Sequence, residues 1–279
     1  RLFLGQPIIL NSDSTRRGDT NVQFAASMGV VRQIGGANRH SLFARVGYFR
    51  GEQTLVNALD LQAYTIKAGG VLHTRWADFT PTFGFDHVLL SQSTYLRSFN
   101  SGLQISRKLS RRCELWTAIE REDQGFIRTP LVTAGHLRQG DQYALSLGGR
   151  YLLTPFDRLS ATLGHRRKLA RAVYYAYRRE SLSLDYTHLL GRGMFVVAGL
   201  SADFDRYDRA DNSASEMVRH DDAATLQLLY GAPLSLLWKP LEGFTGTLGY
   251  ERFQQSSNLT NYKYSNDKLT ALLTYAWGI

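Results

Sequence analysis

His87 and Ser91 stand four residues apart in Phe85-Asp-His-Val-Leu-Leu-Ser91, and His220-Asp221-Asp222 follows near the last quarter of the chain. Histidine, hydroxyl and carboxylate are the parts of a hydrolase, whose base must lie within hydrogen-bond reach of its nucleophile. The period-2 pattern around His87 makes that stretch a strand, where four residues span roughly 13 Å. His87 and Ser91 therefore cannot meet. His220-Asp221-Asp222 sits in a polar stretch with no paired carboxylates upstream. The seven His are scattered without ligand spacing, and a single Cys excludes a cysteine-rich metal site. Asp203, Asp205, Asp208, Asp211 and Asn212 lack the Gly and terminal Glu of a calcium loop. No glycine-rich phosphate loop is present. The sequence predicts no catalytic residue, no metal and no cofactor.

Basic residues are the remaining signal, and their meaning depends on the elements that carry them. The 279 residues hold 33 Lys+Arg against 24 Asp+Glu, a net charge of +9, with 15 Tyr, 14 Phe and only 6 Pro. No run of 18 apolar residues exists, which excludes a spanning helix. The chain opens at Arg1 with Leu-Phe-Leu-Gly and no secretory leader, as a processed or truncated chain would. Alternation at period 2 recurs from end to end and predicts an all-β protein. In 141–153, Tyr143, Leu145, Leu147 and Tyr151 oppose Gln142, Ala144, Ser146, Gly148 and Arg150. The same division holds in 63–76, 157–166, 181–188, 196–205 and 244–251.

A soluble sandwich buries its apolar faces between sheets, with strands of about 5–6 residues. A transmembrane barrel turns them to lipid, with strands of about 9–11 residues. The runs here are of the longer kind, Gly and Ala sit freely on the apolar face, and aromatics gather near run ends. Tyr48, Trp76, Phe79, Tyr95, Trp116, Phe126, Tyr207, Trp238 and Tyr262 are expected to form interfacial girdles. Connections alternate short and long: 239–243, 191–193, 154–157, 109–112, 77–81 and 35–39 are short. The long ones are 208–222, 167–180, 127–141, 51–62 and 11–19, with 94–100 intermediate. The expected fold is one domain over 1–279, a closed antiparallel transmembrane β-barrel of fourteen strands (twelve or sixteen by other divisions of 80–110). Residues 1–10 supply the first strand. Short turns face the periplasm and long loops the exterior, which places the protein in the bacterial outer membrane.

Alternation then assigns the lumen. Arg45, Lys67, Arg75, Lys108, Arg150, Arg158, Arg166, Arg179 and Lys268 face it with Asp86, Glu114, Glu120, Asp185, Asp203, Asp205 and Glu251. Nine cations against seven anions make a mixed lining, braced by cross-strand pairs. Arg150, Arg158, Arg166 and Arg179 form a local positive stripe suited to an anionic cargo. Arg16, Arg17, Arg166, Arg167, Lys168, Arg171, Arg178 and Arg179 fall in or beside long loops, where lipopolysaccharide phosphates are the expected partner. The aromatics follow strand faces and run ends, which argues against nucleic acid.

The stretch Tyr250-Glu-Arg-Phe-Gln-Gln-Ser-Ser-Asn258, followed by Tyr262-Lys-Tyr264 and a closing strand, resembles the C-terminal barrel of the surface lipoprotein assembly modifiers. That resemblance implies export of a lipoprotein cargo to the cell surface. The family's periplasmic helical-repeat domain has no counterpart in this sequence. A diffusion porin and a polysaccharide-export channel are the alternatives. The last strand, with Leu269, Ala271, Leu273, Tyr275, Trp277 and Ile279 on one face, is similar to the closing strands read by the barrel-assembly machinery. It ends in Ile where those strands end in an aromatic residue.

Overall fold

The computed structural model describes residues 21–35, 40–54, 60–212 and 215–275. Thirteen strands form one antiparallel sheet in chain order: β1 (Asn21–Ile34), β2 (His40–Gln53), β3 (Leu61–His73), β4 (Asp78–Leu90) and β5 (Ser93–Lys108), then β6 (Cys113–Phe126), β7 (Gly140–Leu152), β8 (Asp157–Lys168) and β9 (Tyr177–Gly191), and last β10 (Met194–Tyr207), β11 (His220–Pro233), β12 (Phe244–Ser257) and β13 (Tyr264–Tyr275). At 12–16 residues they exceed ordinary sandwich strands. Strict sequential pairing satisfies the backbone of each inner strand on both sides. No helix among the described residues is long and apolar enough to cross a membrane. The strand expected over 1–10, Arg16, Arg17, Trp277 and Ile279 all lie outside the described residues.

Two compact units divide the chain. The first comprises 1–105, 118–145 and 166–177; the second comprises 106–117, 146–165 and 178–279. In both, one face of the sheet leaves its large apolar side chains in the open. Phe83 is 55% exposed and Ile119 62% in the first unit; Leu163 is 56% and Leu248 63% in the second. Their neighbours along each strand are smaller or polar and more enclosed, as Gln142, Ala144, Ser146 and Gly148 are on β7. A sandwich would bury the oily set. Here the polar set is the enclosed one.

Small residues on the polar face give the larger side chains room. Trp116 lies over Gly148, where a Cβ would overlap the indole, and Asp185 covers Gly199. The aromatics expected as girdles therefore divide. Trp76 and Trp238 are exposed near short connections, and Tyr48 joins Phe24, Tyr64 and His87 in a row of rings across the apolar face of β1–β4. Trp116 and Phe126 carry the parity of the polar face, and Tyr95 and Tyr207 are buried. Tyr262 lies under an arginine. None of these five is exposed on the apolar face, so they form no outer girdle.

Connections follow the short–long alternation with one correction. Residues 94–100, expected as a loop, are interior to β5, and the chain reverses at Ser91-Gln92 instead. Both take positive φ, 47° and 65°, the geometry of a two-residue hairpin turn normally given to Asn or Gly. Gly140 opens β7 with φ +143°, and a Cβ there would collide with the Leu169 carbonyl. Gly140→Ala should lower stability by about 1–3 kcal/mol. A drop in the urea midpoint at unchanged slope measures it; an unchanged midpoint would mean the segment can shift.

Candidate functional site

On the first unit's polar face, register sets Gly29, Arg45, Lys67 and Gly84 side by side across β1–β4. Two cations are thus direct cross-strand neighbours, with a glycine on either flank. Like charges so placed repel. Neither makes an ion pair among the described residues, while Asp86 nearby is occupied by Ser98 (3.2 Å) and Asn100 (2.5 Å). Glu120 stands over Gly102 on the same face. Toward the long-loop end this face turns apolar, with Leu61, Ala63 and Val88 buried against Phe49 and Leu96. A wholly polar lining is corrected there.

The connections 127–139 and 169–176 of the first unit run side by side. They are laced by backbone bonds from Ala172 to Leu137 (3.0 Å) and Arg171 to Gln139 (2.8 Å). A single 3₁₀ turn, Gly135–Arg138, rides on the first of them. Lys168, only 4% exposed, ends β8 on the polar face and donates to Gln124 Oε1 (2.6 Å) and the Gly140 carbonyl (3.0 Å).

The second unit carries a charge row. Asp205 and Asp221 are opposite each other on β10 and β11, with Ser257 next on β12. Arg179 grips Asp205 through two nitrogens (2.5 and 2.6 Å) and reaches Asp203 at 3.5 Å. Arg219, from the long connection before β11, grips Asp221 and lies between Tyr262 (3.4 Å to the ring centre) and Tyr207 (4.6 Å). Burial works against the Arg219 charge, but the hydrogen bond to Asp221, the two tyrosines and the carboxylate's field hold its pKa above the ordinary value. The resembling segment has a mechanical part in this: Asn258 accepts from the His220 amide (2.8 Å) and donates to the Val218 carbonyl (2.7 Å). It ties the connection that bears Arg219 to the start of β12's loop.

Two of the four arginines of the expected positive stripe are neutralised. Arg150 pairs Glu114 (3.4 Å), Arg179 pairs two aspartates, and Arg158 donates to Thr187 (3.4 Å). Arg166 keeps the parity of the polar face without an ion pair among the described residues. Arg75 lies in the 74–77 turn beyond β3, stacked on Trp76 at 4.6 Å, so it does not line the sheet. Asp185 fills the space over Gly199, and Glu251 stands in register between Gln227 and Lys268. Lys168 and Arg179, both expected beside long loops, have the parity of the polar face, which for Arg179 is also that of its lumen assignment, whereas Arg167 and Arg178 have outward parity. His87 meets Thr94 (3.1 Å), and Ser91 occupies the hairpin turn. Among the described residues no three His, Cys, Asp or Glu side chains converge as metal ligands. Arg138 and Arg219 were not singled out from sequence; only the alternation that puts Asp221, and not His220 or Asp222, on the polar face hinted at the second.

No family model matches the chain, and no curated protein matches it. Solved structures similar to it include three from Pseudomonas aeruginosa. OpdL is 10% identical, with 92% of this chain and 96% of that one covered, at a TM-score of 0.44. OccD3 (OpdP) is 11% identical, with 94% and 87% covered, at 0.45. OpdQ is 9% identical, with 91% and 94% covered, at 0.42. Likeness at this level assigns neither family nor function. None of these three is a surface lipoprotein assembly modifier.

Removing the Asp221 charge strands a buried guanidinium. Asp221→Leu should cost about 3–5 kcal/mol, and adding Arg219→Met should recover much of it. Chemical unfolding of the single and double variants checks this; equal losses in both would mean that the pair is not coupled.

Proposed function

We propose that the sheet closes into a transmembrane barrel of the bacterial outer membrane and passes small polar solutes as a porin does. One observation carries the reading: on β6–β9 the large apolar side chains alternate outward and exposed while the smaller or polar side chains between them are more enclosed. An exposed apolar surface this extensive is untenable in water, where contiguous patches rarely exceed a few hundred Å². Hydrocarbon accepts it, and closure leaves no unpaired edge in lipid. The long connections then face the exterior and the short turns the periplasm. Outward charges near the long-loop end, including Arg121–Asp141 (2.9 Å) and Arg206–Asp222 (2.7 Å), fall beyond the apolar band at headgroup and lipopolysaccharide level.

Arg45 and Lys67, adjacent and unbalanced by any ion pair among the described residues, favour anions in such a lumen. No catalytic step is assigned. Export of a lipoprotein cargo has the Tyr250–Tyr264 segment as its support, and that segment's structural work at Arg219 accounts for those residues without a cargo.

Two results follow. Purified protein in planar bilayers should open ohmic channels, and Arg45→Ala with Lys67→Ala should lower the anion-to-cation permeability ratio severalfold, roughly the effect of about 1 kcal/mol per nearby charge in water. A silent protein, or an unchanged ratio, would contradict the reading. Leu163→Arg should cost about 2–4 kcal/mol of folding stability in bilayers. A neutral outcome would remove Leu163 from the lipid face.

A further inference from the structure

We infer that the short-turn end of the second unit is a docking rim for anionic phospholipid, formed by Arg107, Lys108, Arg111 and Arg112 with Arg192 and Lys239. The inference rests on the barrel reading, which puts the short turns at the periplasmic leaflet. Contacts between neighbouring turns set them side by side. The Leu152 amide donates to the Arg112 carbonyl (2.8 Å) and the Leu189 amide to the Phe156 carbonyl (2.9 Å). Pro233 lies so close to Gly193 that a Cβ there would strike its ring. The connections 109–112, 153–156, 191–193 and 234–243 therefore form one continuous edge.

That edge is cationic and unbalanced. All six basic side chains are exposed, and none makes an ion pair among the described residues. From His87 to Cys113 the chain holds no Asp or Glu. Three acids share the edge, and two of them are engaged. Glu114 pairs with Arg150 (3.4 Å), and Asp157 accepts from Tyr186 and His188 (2.6 Å each). Only Glu242 is left to face six cations. The outward charges at the long-loop end are arranged otherwise, with His165 on Glu180 and Arg206 on Asp222 (2.7 Å each). Crowded like charges repel, and an external anion relieves them.

The same turns carry apolar tips, which select a lipid over a dissolved anion. Leu109 is 56% exposed, Phe156 58%, Leu237 84% and Trp238 62%. A soluble phosphate leaves these side chains in water, whereas a lipid brings acyl chains beneath its headgroup. Tryptophan favours that boundary, and arginine lays its stem on apolar surface while its head stays among phosphates. The surplus positive charge then prefers anionic headgroups to zwitterionic ones.

The test uses full-length protein in phosphatidylcholine vesicles that contain a trace of spin-labelled phosphatidylglycerol or, separately, spin-labelled phosphatidylcholine. Electron paramagnetic resonance resolves the lipid whose motion the protein surface restricts. Phosphatidylglycerol should be enriched severalfold over phosphatidylcholine in that fraction, and added salt should reduce the enrichment. The triple variant Arg107→Gln, Arg111→Gln, Arg112→Gln should lose most of it, while Arg206→Gln at the other end should keep it. Arg192→Gln with Lys239→Gln should lower it as well, and carries the test if the triple variant fails to fold. Equal restriction of both lipids, or enrichment unchanged in the rim variants, would overturn the assignment. So would a loss as large in Arg206→Gln, or displacement by dissolved glycerol phosphate beyond that of salt at equal ionic strength. Absence of any restricted lipid would sink the barrel reading itself; restricted lipid without preference would sink the rim alone.

Discussion

Side-chain alternation on fully paired strands is the constraint from which the other features follow. Pairing in chain order leaves the backbone of each inner strand satisfied, so side chains decide what each face touches. Leu163, Leu248, Phe83 and Ile119 lie in the open because the opposite face is occupied by groups that oil would not accept. Register enforces the division: a slip of one residue would exchange the faces of a whole strand. Moving β11 by one position would bring His220 and Asp222 inward and expel Asp221, leaving Arg219 without its carboxylate. Charge pairing and hydrophobic division thus fix the same register.

The two polar faces spend their charges differently. In the second unit Arg179, Asp205, Asp221 and Arg219 neutralise one another in a row, and Tyr207 and Tyr262 enclose the outermost arginine. Such a row braces the wall and leaves little net field. In the first unit Arg45 and Lys67 repel across a strand pair flanked by Gly29 and Gly84, and neither makes an ion pair with a carboxylate among the described residues. Tolerating that repulsion costs stability and gives no packing in return. It makes sense where a mobile anion supplies the counter-charge.

Faces were legible in the sequence because period 2 is a local property: Tyr143, Leu145 and Leu147 announce their side without knowledge of their neighbours. Short and long connections were legible where Gly or Pro marks them, as at Gly191-Arg-Gly193. Ser91-Gln92 carries no such mark, since its two left-handed residues are neither Gly nor Asn, and the sequence pattern places the connection several residues downstream. Pairing partners were less accessible, since they depend on register between strands. Arg150 reads as part of a positive stripe until Glu114 is found beside it, and Trp116 reads as a girdle ring until Gly148 is found beneath it. Arg138 was invisible for a further reason. It belongs to no strand, and its position depends on two connections lacing together.

The most direct measurement compares two adjacent residues of β8. Single cysteines at Thr162 and Leu163, in a protein whose Cys113 is replaced, would carry spin labels in reconstituted vesicles. Relaxation by dissolved oxygen and by a water-soluble nickel chelate then reports which medium each label meets. A lipid-spanning barrel predicts oxygen-dominated relaxation at 163 and nickel-dominated relaxation at 162. Nickel-dominated relaxation at both positions, or shielding of 163 from both reagents, would contradict a lipid-facing apolar surface.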